Sequence, residues 1–181
     1  KMLCCLTKPG AGDAKILGYS VKENPEAVKE KINVSPQETA VARNLTVREN
    51  LEMIAGIYGN DHKVSGEKAD AMIKTFSLEE VRNSKAKTLS GGMQRRVSIA
   101  MALISDPKIL FLDEPTLGLD VLARRELWTA IRKLKGRITV ILTTHYMEEA
   151  EALSDRIGIM AKGRLIKTGT AAELMAATET K

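Results

Sequence analysis

The sequence predicts an α/β fold built on a mostly parallel sheet, with a block of helices set into it. Three observations carry this. From Lys108 onward strand-like and helix-like stretches alternate, as "KILFLDEP", "VLARRELWTAIRKL", "RITVILTTH" and "YMEEAEAL". Between residues 37 and 107 the pattern is helical instead, in three successive runs. The apolar stretch "ILFLDEP" delivers Asp113 and Glu114 to a strand's carboxyl end, the edge at which open α/β sheets bind ligands.

In chain order, "KMLCCLTKPG" reads as a short helix-like patch stopped at Pro9-Gly10, and residues 14–21, "AKILGYSV", as a short strand turning at Gly18. "KEKINVSPQ" is a second strand. Thr46 and Glu49 form a capping box, and Val47, Leu51, Ile54 and Ile57 recur at helical spacing, which predicts a helix over 47–58. "EKADAMIKTFSL" and "LEEVRN" continue helical, and a third helix, the basic amphipathic run "MQRRVSIAMALI", begins just after Gly91-Gly92. The alternating segment follows, and "DRIGIMAKGRLIKTG" gives two short strands around a Lys162-Gly163 turn. Thr170 with Glu173 caps a last helix.

At 181 residues, 44% hydrophobic and 28% charged, the chain has the composition of a soluble globular domain. No apolar run approaches the roughly 18 residues of a membrane span, and no signal-peptide pattern opens it, so an intracellular protein is expected. Cys4 and Cys5 are adjacent, without metal-ligand spacing to a histidine, and are expected to be reduced core thiols. The net charge is +5, yet the basic residues are spread along the chain and only 3% of residues are aromatic, so no direct nucleic-acid binding is expected.

The acids after the strand suit phosphate chemistry. Asp113 can hold Mg²⁺ through hard oxygen ligation, and Glu114 beside it can orient and deprotonate a water, although strands also end in acidic turn residues without such a role. Upstream, Ser90, Gly91 and Gly92 open a helix whose first N–H groups lack intrahelical partners, which makes an anion site. Asp120 is placed as the N-cap of the next helix.

This ordered set resembles the nucleotide-binding domain of ATP-binding-cassette (ABC) proteins of the export type. "LSGGMQ" matches the signature motif, "ILFLDEP" the Walker B, "TLGLD" the D-loop, "SPQET" the Q-loop and "THYMEEAEALSDRIGIMAKGRL" the H-loop segment. The resemblance implies a P-loop NTPase (RecA-like) core formed by residues 1–37 and 107–181, with 38–106 as the helical subdomain. It implies ATP and Mg²⁺ as cofactors, with ATP sandwiched between two such domains. Glu114, His145 and Gln37 are then catalytic, Asp113 and Gln37 face the metal, and Ser90, Gly91, Gly92, Gln94 and Asp120 contact nucleotide, the signature residues in trans. The implied partners are transmembrane permease subunits and a second nucleotide-binding domain, identical or different, and the implied location is the cytoplasmic face of the cell membrane.

The family's G-x-x-x-x-G-K-[ST] loop does not occur among these residues. "KPGAGDAK" is glycine-rich but lacks the Gly-Lys-Ser/Thr ending and runs into a strand. By the resemblance, "KMLCCLTKPGAGDAKILG" corresponds to the helix after that loop and the turn leaving it, so the N-terminal part of the domain is expected to lie ahead of Lys1, and residues 1–181 alone to be inactive. Exposed apolar sheet edges are expected as well. Two alternatives stand beside the transporter: a soluble ABC-type ATPase of DNA repair or translation, and a non-catalytic module lending its signature to a partner.

Overall fold

The computed structural model describes residues 1–176, which divide into two compact units, Lys1–Thr143 and a second that begins at Thr144. The first unit is organised by a three-stranded parallel sheet in the order β3 (Ile32–Ser35), β4 (Ile109–Asp113), β5 (Thr139–Thr143). The parallel alternation expected from the sequence is therefore present. In β4, residues Ile109 to Leu112 are buried and Asp113 is exposed, so the strand is a core element whose last residue emerges at the sheet edge. Because the strands run parallel and in register, Ser35 lies opposite Leu112 and Thr143 opposite Asp113. The chain leaves β3 and β4 at the same edge. In the described sheet β3 and β5 each pair on one side only, and Ile141 on β5 is 38% exposed. The expected apolar edge is present there.

Ahead of β3, Lys15–Ile16 (β1) and Tyr19–Ser20 (β2) form a two-stranded hairpin, and Pro25–Lys29 is a short helix, α1. Periodicity does not expose so brief a helix, though Pro25 sits in its first turn, where a proline costs no hydrogen bond. The expected helix in "KMLCCLTK" is absent: residues 2–7 make turns, closed by Cys5 N–H donating to the Met2 carbonyl and Leu6 N–H to that of Lys1. A helix must first bear the cost of its nucleating turn, and the few residues before Pro9 offer little length to recover it. Cys4 is nevertheless buried, as expected of a core thiol, in a cluster with Ile16, Val21, Val28, Ile32, Ile109 and Phe111. That burial pushes its thiol pKa up.

The helical block comprises α2 (Val47–Ile57), α3 (His62–Thr75) and α4 (Gly91–Leu103). Between α3 and α4, "LEEVRN" forms only a 3₁₀ turn at Glu79–Val81. Helix α2 starts as the sequence predicts: Thr46 Oγ1 accepts from Glu49 N–H at 3.1 Å, and Glu49 Oε2 accepts from Thr46 N–H at 2.7 Å. The backbone bond holds the Glu49 carboxyl below its usual pKa. A depressed folded-state pKa means that this cap contributes fully above the ordinary glutamate range and fades as pH falls through the lowered value. Glu49→Gln is accordingly expected to flatten the acid limb of thermal stability against pH. Thr46→Ala is expected to cost about 1 kcal/mol at neutral pH, read by denaturant unfolding.

In the first unit α5 (Val121–Arg132) lies between β4 and β5 in chain order; in the second, α6 (Met147–Leu153) comes first, and β6 (Ile157–Ala161) pairs antiparallel with β7 (Arg164–Gly169). The hairpin turns at Lys162 and Gly163, with φ of 47° and 74°, as two-residue hairpin turns require. Thr170 and Glu173 cap α7 (Ala171–Ala176) reciprocally, as expected.

Candidate functional site

The chemistry-bearing residues of the first unit gather at the carboxyl edge of its sheet. Beyond β3 the chain passes through Pro36 to Gln37, which is exposed. Gln37 lines an open cleft of about 410 Å³ together with Gly91, Gln94, Arg95 and the turn at residues 117–119. Residues from two distant motifs, Gln37 of one and Gly91 and Gln94 of the other, thus share one concavity.

Helix α4 reaches that cleft with its N-terminus. Ser90 is the N-cap, its Oγ accepting from Met93 N–H at 3.3 Å, so the helix begins at Gly91 itself rather than after Gly92. Gly91 is exposed and nothing lies within 4 Å of where its Cβ would stand. Gly92 has a different task. A Cβ there would meet Ala123 Cβ at 2.8 Å, so glycine permits the first turn of α4 to pack on the first turn of α5. Two helix N-termini, each a locus of partial positive charge, are thereby brought side by side. Asp120 caps the second: its Oδ1 accepts from Leu122 N–H and Ala123 N–H, both at 2.9 Å. Gln94 anchors its amide nitrogen on the Leu89 carbonyl at 3.1 Å.

At the end of β4, Asp113 Oδ1 accepts from Thr143 Oγ1 at 2.5 Å. Glu114 then takes a φ of 45°, in the left-handed region that a non-glycine residue seldom occupies. Its N–H donates to the Thr143 carbonyl at 3.0 Å, and its carbonyl accepts from Leu117 N–H at 3.2 Å. Backbone strain of this kind, typically about 1–3 kcal/mol, persists where surrounding bonds over-determine it and is concentrated at functional sites. Here it turns the chain off the strand direction directly after Asp113.

Arginine 95 joins these parts, and sequence reasoning missed it. The expected amphipathic helix is instead buried along most of its length, from Arg95 to Leu103 and at Gly92. An arginine inside such a helix must find acceptors. Arg95 Nε donates to the Pro115 carbonyl at 3.0 Å and Nη2 to that of Asp113 at 2.8 Å, while Nη1 donates to the carbonyls of Pro36 and, at 3.1 Å, Gln37. One guanidinium links the loop after β3 to the end of β4. Its neighbour Arg96 serves another seam, donating to the Phe76 and Ser77 carbonyls at 3.2 and 3.4 Å and pairing with Glu126 at 3.1 Å. The signal available in the sequence was two arginines leading directly into the apolar run "VSIAMALI".

His145 belongs to the second unit and is exposed; β5 stops at Thr143, so His145 lies in the segment after the strand rather than at its end. Its ring stacks, tilted by 37°, on Tyr146 with centroids 4.1 Å apart.

Asp113 offers one hard carboxylate at the sheet edge. Among the described residues no group of three His, Cys, Asp or Glu converges to hold a metal. That donor set fits Mg²⁺, which is commonly held by one or two carboxylates with phosphate and water oxygens completing the shell, and does not fit an all-protein cage.

The family model described as "ABC transporter" matches residues 1–117. The chain belongs to the ABC transporter family. It is 41% identical over 175 residues to the daunorubicin/doxorubicin resistance ATP-binding protein DrrA of Streptomyces peucetius, a match covering 96% of this chain and 53% of that protein. It is 42% identical over 164 residues to the phospholipid-transporting ATPase ABCA3 of Rattus norvegicus, covering 91% of this chain and 10% of that one. The chain therefore spans about half the length of the first of these ABC proteins and a tenth of the second. Among solved structures it resembles the dimeric post-hydrolysis state of the ATP-binding cassette MJ0796 bound to ADP and Pi, at TM-score 0.79 and 27% identity, covering 93% of this chain and 77% of that one. The fold is that of an ABC ATPase domain, as expected from the P-loop NTPase resemblance.

Proposed function

We propose that this chain is part of the ATP-binding subunit of an ABC exporter, which couples ATP binding and hydrolysis in a nucleotide-sandwich dimer to export of a drug-, antibiotic- or lipid-like substrate. The observation that carries the proposal is the common cleft at the sheet edge, where Gln37 meets the N-terminus of α4. Relatives named for daunorubicin/doxorubicin resistance and for phospholipid transport support the export class. In this proposal Glu114 orients and deprotonates the attacking water and His145 donates a hydrogen bond to the γ-phosphate. Gln37 directs its amide toward metal or water. Asp113 is the carboxylate toward Mg²⁺, which when bound neutralises charge on the phosphates. Ser90, Gly91, Gly92 and Gln94 receive nucleotide across the dimer, because unpaired N–H groups at a helix start favour an anion, and Asp120, which caps the neighbouring helix, crosses the same interface beside the nucleotide. Residues 38–106 form the helical subdomain, and 1–37 with 107–181 the α/β core, the last five residues lying outside the described ones. The permease partner, a homo- or heterodimeric arrangement and the cytoplasmic membrane face belong to the same proposal. Among the described residues no helix is long and apolar enough to cross a membrane.

No Gly-Lys-Ser/Thr loop occurs in residues 1–181, and "KPGAGD" leads into strand β1 where a phosphate loop would open a helix. Calorimetric titration of residues 1–181 with MgATP is therefore expected to show no tight saturable binding, whereas the full-length protein binds and hydrolyses ATP. A micromolar site in residues 1–181 that is lost on mutation of Gly10 or Gly12 would assign the phosphates to that turn instead. Absence of turnover in the full-length protein would remove the ATPase proposal.

A further inference from the structure

We propose that Arg95 is a positioning residue for Gln37: its guanidinium fixes the loop after β3 to the end of β4, so that Gln37 and Asp113 hold one geometry. Four main-chain carbonyls converge on it, those of Pro36 and Gln37 from one loop and those of Asp113 and Pro115 from the other. Arg95 itself is 3% exposed, whereas Gln37 and Asp113 are exposed. Gln37 and Asp113 thus stand in solvent while the group that sets their spacing is buried. A loop that carries an exposed glutamine at a cleft rim has few packing contacts of its own to locate it. Guanidinium geometry suits the task, because its planar fork presents donors in several fixed directions and so defines the relative placement of acceptors on separate segments. Lysine at this position keeps the charge and loses the fork. The arrangement also reaches the signature helix, since Arg95 lies in α4 one residue beyond Gln94. Any displacement of the Gln37 loop is then transmitted to the end of β4 or to α4, or it breaks bonds to Arg95.

Arg96 supplies the comparison. It is equally an arginine of α4, 9% exposed, but it binds the Phe76 and Ser77 carbonyls and Glu126 rather than the Gln37 loop. Loss of either arginine lowers stability; only loss of Arg95 loosens Gln37.

The test is ¹⁵N backbone relaxation on the nucleotide-free protein in wild type, Arg95→Lys and Arg96→Lys. In wild type the amides of residues 37–39 are expected to have order parameters near the rigid value of about 0.85, and Arg95→Lys to lower them below about 0.6, while α2 keeps its wild-type values. Arg96→Lys leaves residues 37–39 at the wild-type values. Should Arg95→Lys not fold, Arg95→Gln serves with the same readout. Unchanged order parameters at 37–39 in a folded Arg95 variant overturn the proposal, as does a decrease of the same size throughout the chain. A second arm rests on the ATPase reading and follows turnover. There Arg95→Lys lowers kcat in the wild-type background and has little further effect in Gln37→Ala; full additivity overturns a role through Gln37. The relaxation arm needs no catalysis, so its outcome is separable from failure of the ATPase proposal.

Discussion

Glu114→Gln in the full-length protein is expected to lower ATP turnover by roughly 10²–10⁴-fold while nucleotide binding persists. The substitution preserves shape and the strained backbone, because glutamine meets the same φ of 45° that the bonds to Thr143 and Leu117 impose. What is lost is a carboxylate able to take a proton from water. Single-turnover hydrolysis and an independent nucleotide-binding measurement separate the two effects. Turnover within a few-fold of wild type would exclude Glu114 as the base, and loss of binding in step with turnover would assign it to nucleotide affinity instead.

The second large effect is expected at the start of α4. With hydrolysis suppressed by Glu114→Gln, ATP is expected to close a dimer that sedimentation detects, and the further change Gly91→Asp to abolish it. Two like charges about 4 Å apart repel by roughly 4 kcal/mol at an effective dielectric near 20, which is about a thousandfold in association. Gly91 is the position for this experiment. Space around its Cβ site is open, and an aspartate in the first turn is favourable to the helix itself, so the fold survives the change. Gly92 is unsuitable, since any side chain there strikes Ala123 at 2.8 Å and separates α4 from α5 before charge has a part. Gly92→Ala, judged by thermal unfolding, therefore reports packing rather than nucleotide. Equal dimer formation with and without Gly91→Asp would mean that the signature does not meet nucleotide across the dimer.

The linear chain determines the parts whose physics is local. Thr46 and Glu49 announce the start of α2 because both halves of a capping box lie within one turn, and the structure makes both bonds. Residues 109–113 declare a buried strand with an acid at its end because four apolar side chains in succession leave only Asp113 for the surface. The hairpin at Lys162-Gly163 follows from a turn that needs two positive φ values. Motif order then placed Asp113 at a strand end and Gln37, Ser90, Glu114 and Asp120 on loops and helix starts, as resemblance to the ABC family suggested.

Only the tertiary structure decided how those parts are held. The N-terminal patch is helix-like in sequence yet forms turns, and "LEEVRN" yields a single 3₁₀ turn, because propensity over so few residues is weaker than the packing and chain direction around them. The sequence of α4 reads as amphipathic because two arginines stand beside an apolar run. They are buried, since acceptors for them come from Pro36, Gln37, Asp113 and Pro115 for one, and from Phe76, Ser77 and Glu126 for the other. Those acceptors are mostly main-chain carbonyls, which every residue carries, so no pattern of side chains marks where they will converge. The same holds for Gly92, whose need for glycine is set by Ala123 on another helix, and for Glu114, whose left-handed backbone is imposed by Thr143 on the neighbouring strand.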